Sequence, residues 1–116
     1  MKIGETKNSK EIFSQMILGL GEGNLTVNIE TKGLDVCKYH FLKPMKLSEF
    51  FEIKNNHLFF GTILRDTKAM GYSYFNFPLE ETKIHIFEET LVNILTTYIH
   101  IFYNGFEVRI NFKKEV

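Results

Sequence analysis

Side chains able to do chemistry are few in this sequence, and their spacing argues against most reactions they could support. His40, His57, His85 and His100 include no H-x-x-x-H pair that would set two imidazoles on one helical face for a metal ion. His85 and Glu89 stand four apart, a ligand pair only if a helix begins before them. Cys37 is the single cysteine and belongs to no basic motif that would hold a thiolate, so it reads as a small core residue. Glu80–Glu81 and Glu88–Glu89 are adjacent in sequence on polar connections, where carboxylates are solvated rather than opposed for general acid and base work. Asp35 and Asp66 sit where turns are expected. Gly19, Gly21 and Gly23 alternate after a helical pattern and before a strand, the reverse order to a phosphate-binding turn. The expectation is no catalytic residue, no metal and no cofactor.

Charge layout remains. Lys+Arg and Asp+Glu both total 14 over 116 residues, which gives no basic excess for a phosphate backbone and points away from nucleic acid. The neutrality is nonetheless polarised. Lys32, Lys38, Lys43 and Lys46 are opposed only by Asp35 in one region, while Glu80, Glu81, Glu88 and Glu89 are opposed only by Lys83 in another. That acidic segment is the expected docking patch for a partner protein such as a basic toxin or enzyme domain, because charge of one sign steers association.

The elements that must position these groups follow from periodicity. Asn8 or Ser9 can cap a helix whose apolar residues Ile12, Phe13, Met16, Ile17 and Leu20 recur at helical spacing, with Gly21 or Gly23 as its end. Residues 1–8 are polar and expected to fray. Leu25, Val27 and Ile29 alternate with polar residues in a strand with one wet face. A connection over Lys32–Leu34 would set Leu25 against Phe41, Val27 against Tyr39 and Ile29 against Cys37, uniting apolar faces that a two-residue turn would divide. Ser48–Phe51 suits a single helical turn and Phe51–Ile53 a strand. Asn55–Asn56 reads as a tight turn pairing Ile53 with Leu58 and Phe51 with Phe60. Leu58–Arg65 and Tyr72–Phe77 follow as strands around a polar loop, Asp66–Gly71, and Lys83–Phe87 leans to a further strand for its Ile84 and Ile86.

Glu88–Lys113 admits two readings. Asn104–Gly105 could be a hairpin turn between Thr97–Tyr103 and Phe106–Phe112. Against this, Glu89, Asn93, Thr96, Thr97, His100 and Asn104 trace one polar stripe of a helix, with Leu91, Val92, Leu95, Tyr98, Ile99 and Phe102 opposite. In a hairpin, Tyr98, His100 and Phe102 would leave that arm without a polar side. The pattern therefore predicts a long helix over about 88–103, with Gly105 as its left-handed stop, then a half-buried strand from Phe106 to Lys113.

The fold expected is α+β in one domain spanning 1–116: an N-terminal helix, an antiparallel meander of five or six strands, the long late helix packed on the sheet, and a final C-terminal strand. The core is aromatic, with 12 Phe, 5 Tyr and no Trp. No secretion signal opens the chain, and the tract around 91–103 is too interrupted to span a membrane, so a cytoplasmic protein is expected. Its Lys, Asn, Ile and Phe content suits an AT-rich microbial gene. Function is read as a small non-enzymatic protein-binding module, an immunity- or antitoxin-type inhibitor that blocks its partner through Glu80, Glu81, Glu88 and Glu89. The alternative is a carrier of a lipid or aromatic ligand, with Tyr39, His40, Phe75 and Phe77 lining a pocket between curved sheet and helix.

Overall fold

The first helix forms where its apolar spacing places it. In the computed structural model, which describes residues 9–41, 43–61 and 74–115, α1 runs Ser9–Gly19 and buries Phe13 and Ile17. Leu20 N–H donates to Met16 O at 3.2 Å, and Gly21 then takes φ +76°, the left-handed conformation that glycine adopts without a Cβ penalty. β1 (Glu22–Thr31) turns Leu25, Val27 and Ile29 inward, as the alternation predicts.

β2 (Leu34–His40) pairs Val27 with Tyr39 and Ile29 with Cys37, the register that unites the apolar faces. The expected three-residue connection is replaced by a two-residue turn, Lys32 at φ +52° and Gly33 at φ +79°, and a bulge between Ile29 and Glu30 restores the register. β3 (Met45–Lys46) pairs with the start of β1. A 3-10 turn at Leu47–Glu49 follows, with the Glu49 carboxylate accepting from Lys46 N–H at 2.7 Å. β4 (Phe51–Lys54) and β5 (His57–Gly61) meet through Asn55–Asn56, φ +53° and +59°, with Ile53 opposite Leu58 and Phe51 opposite Phe60 as predicted. β6 (Tyr74–Pro78) completes this three-stranded sheet. The readings of 1–8, 62–65, the 66–71 loop and 72–73 fall outside the described residues.

A 3-10 turn at Leu79–Glu81, closed by the Thr82 hydroxyl donating to Pro78 O at 2.6 Å, leads into β7 (Lys83–Leu91), β8 (Ile94–Tyr103) and β9 (Phe106–Glu115). This overturns the long late helix over 88–103. Val92 and Asn93 take φ +51° and +57°, and Asn104 and Gly105 take +46° and +83°, so both are hairpin turns of the kind whose twist matches antiparallel strands. Ile94, Thr96, Thr97, Ile99 and Ile101 are β-branched, and such residues lose side-chain freedom in a helix but pack well on a pleated sheet. The polar stripe spaced like a helix is an accident of two turns and two threonines. α1 is the only α-helix among the described residues, so no second helix packs on the sheet there.

The main sheet has six strands, five in the order β2-β1-β9-β8-β7 and β3 on β1 off that path, antiparallel throughout, with β1 and β9 joining the two ends of the chain. Its inner face, α1 and the β4-β5-β6 sheet share one core, in which Phe50 and Phe51 meet edge-on at 4.9 Å between ring centres. No described helix is long and apolar enough to cross a membrane.

Candidate functional site: the outer face of the main sheet

Strand β8 has two apolar faces, and only one belongs to the core. Thr97, Ile99 and Ile101 point inward and are fully buried. Tyr98, His100 and Phe102 therefore point outward by the strand's period of two, and all three are only half-buried. Pairing aligns them in transverse rows. Phe87 is opposite Tyr98, His85 opposite His100, and Lys83 opposite Phe102; on the other flank stand Asn111, Arg109 and Glu107. The rows continue onto β1 through Thr26, Asn28 and Glu30, then to His40 and Lys38 on β2. Phe87, Tyr98 and Phe102 stand apart from the cluster of core side chains and the residues packed on it.

Charges on this face are largely arranged. Arg109 Nε donates to Glu107 at 3.1 Å, and its guanidinium lies 3.6 Å from Glu30, which hold it protonated even beyond its ordinary range. Partial burial, followed by the nearby Arg109 charge, lowers the pKa of His100 from its usual 6.5, so its imidazole is neutral at pH 7. His100 and His85 both approach Phe102, with ring centres 6.4 Å and 5.3 Å away. Thr26 Oγ1 and His40 Nδ1 share a hydrogen bond at 3.2 Å. A groove of about 380 Å³ lined by Phe87, Glu88, Glu89, Tyr98 and His100 marks one end of the face, and another of about 370 Å³ beside Glu81, Lys83, Phe102 and Glu107 marks the other. Among the described residues no three of His, Cys, Asp and Glu stand together to hold a metal ion. Stacking, cation–π contact and hydrogen bonding are what this surface offers.

The four acidic residues expected as one patch are divided. Glu80 and Glu81 are exposed in the turn before β7, and Glu88 and Glu89 lie near its far end. At a strand rise of about 3.3 Å per residue, the stretch of β7 from Lys83 to Glu88 alone sets the pairs about 17 Å apart. Glu81 borders one groove, Glu88 and Glu89 the other. The pocket expected from Tyr39, His40, Phe75 and Phe77 is divided as well. Tyr39 packs on Phe50 at 5.2 Å, Phe75 on Phe60 at 5.4 Å and Phe77 on Tyr103 at 4.9 Å, all ring against ring, while His40 is exposed on the other face of β2.

Phe87, Tyr98, Phe102 and Arg109 are not singled out as a site by sequence, because the helix assignment turns Tyr98 and Phe102 into a buried helical face and gives no pairing that would bring Phe87 and Arg109 beside them. Reading Asn104–Gly105 as a turn brings Tyr98, His100 and Phe102 onto one face, and their lack of a polar complement is then the signal. Comparison with protein-family models, curated proteins and solved structures gives no match for this chain.

Proposed function

We propose that this chain is a protein-docking module whose partner seats on the outer face of the main sheet, in the manner of an inhibitor that covers a partner's working surface. One observation carries the reading: Phe87, Tyr98 and Phe102 stand outside the core on adjoining strands, each half-buried on the outer face and Phe87 directly across from Tyr98, with Arg109 one row away. Tyr, Phe and Arg are the residues enriched where protein interfaces concentrate their binding energy. Mixed charge on the face, with Lys38, Lys83 and Arg109 against Glu30, Glu89 and Glu107, suits a protein better than a phosphate backbone. A carrier role draws less support, since Tyr39, Phe75 and Phe77 fill space with neighbouring rings instead of lining it.

The test is capture of the partner from the producing cells with tagged wild-type protein and with Tyr98→Asp/Phe102→Asp. The wild type should retain a stoichiometric partner that the folded double variant loses. Equal retention by the two would refute docking on this face.

A further inference from the structure

We propose that the groove at the β7–β8 end of the outer face receives an arginine side chain of the partner protein, a reading that rests on the docking function above. Phe87 and Tyr98 are direct cross-strand partners, so their rings form adjoining walls. Glu89 follows Phe87 on the same face of β7. Glu88 points to the opposite face but reaches the groove because β7 is the last strand in the order of this sheet. Neither carboxylate has a salt-bridge partner among the described residues; the ion pairs there join Arg109 to Glu30 and Glu107. The groove thus combines aromatic surface with two carboxylates and has no Lys or Arg in its lining; Lys113, in the row of Glu89, stands two strands away.

A guanidinium fits that combination better than an ammonium. It is planar, stacks on an aromatic face, and can donate two parallel hydrogen bonds to a carboxylate. His100, the remaining wall, is neutral at pH 7 and sets no positive charge against it. The partner residue beside such an arginine would meet an apolar tip. Leu91 and Val92, two and three positions beyond Glu89, are 70% and 83% exposed. Val92 also holds φ +51°, a conformation that costs a β-branched residue strain and that Asn or Gly would take readily.

The experiment titrates isotope-labelled protein with a blocked glycyl-arginyl-glycine peptide and with its citrulline counterpart, which keeps the shape and loses the charge. Amide shifts should concentrate at residues 87–90 and 97–100, with the arginine peptide about tenfold tighter than citrulline. That preference should vanish in Glu88→Gln/Glu89→Gln, which alters only half-buried and exposed side chains. Equal affinity for both peptides, a preference unchanged in the double variant, or shifts confined elsewhere would each overturn the proposal. If wild-type protein still captures a partner that Tyr98→Asp/Phe102→Asp loses, docking on the face survives such a failure. Loss of docking with the arginine preference intact would remove the partner as the source of that side chain.

Discussion

Gly23→Ala is expected to be among the costlier single-methyl additions to this protein. Gly23 lies in β1 where that strand crosses the end of β9, and a Cβ there would fall 2.6 Å from the Lys113 carbonyl oxygen and 2.7 and 2.9 Å from two carbons of the Phe112 ring. Neither neighbour can yield cheaply. The carbonyl belongs to the backbone of β9 beside the Asn24–Lys113 pair, and Phe112 is 1% exposed within the core. Overpacking of this sort costs about 3 kcal/mol, offset by less than 1 kcal/mol from the lower chain entropy of alanine. A net loss of about 2 kcal/mol corresponds to a fall in Tm of roughly 8 °C for a domain of this size. Gly19→Ala supplies the control: a Cβ there meets nothing within 4 Å, and at the end of α1 it should gain up to about 1 kcal/mol. Thermal and urea unfolding followed by circular dichroism measure both. A Gly23→Ala protein as stable as the wild type would refute the packing of β1 on β9.

Thr97 is fully buried and its hydroxyl has no hydrogen-bond partner among the described residues, so Thr97→Val should raise stability by about 1 kcal/mol in urea unfolding; a loss of similar size would contradict its inward placement on β8. His100 gives a pH signature. Its folded pKa is depressed by burial and then by Arg109, so the unfolded chain binds the proton more readily. Stability is therefore full above the unfolded value of 6.5 and declines as pH falls through the lower folded value. Urea midpoints of His100→Gln, compared with wild type from about pH 7.5 to 5, should decline less steeply; parallel curves would refute this.

How legible the fold is in the sequence depends on whether an element buries one face or two. α1, β1 and the β4–β5 hairpin each have one apolar side, and their periodicity or turn residues identify them. The β1–β2 register also follows from uniting apolar faces, but the bulge at Ile29 and Glu30 that produces it leaves no mark on the alternation. Lys83–Phe87 is read as a strand from Ile84 and Ile86 and is one, but the rest of β7 from Glu88 and all of β8 fail the same test for a physical reason. Their hairpin turns on Val92–Asn93, where nothing but Asn93 favours positive φ, and the outer side of β8 carries Tyr98, His100 and Phe102 in place of polar residues. A strand apolar on both faces imitates no simple pattern. The departure that misleads periodicity coincides with the proposed docking surface, as expected where surface residues serve a partner rather than the fold. Glu88 and Glu89, predicted at the head of a helix, stand instead beside Phe87 and Tyr98, and Glu81 borders the groove that Phe102 lines.

The most direct measurement places a photo-activated cross-linking residue at Tyr98 on the outer face and, separately, at Glu52, exposed on the other sheet, in the cells that make the protein. Docking on the main sheet predicts a discrete protein adduct from position 98 and none from position 52. An adduct from position 52 alone, or none from position 98, would contradict it.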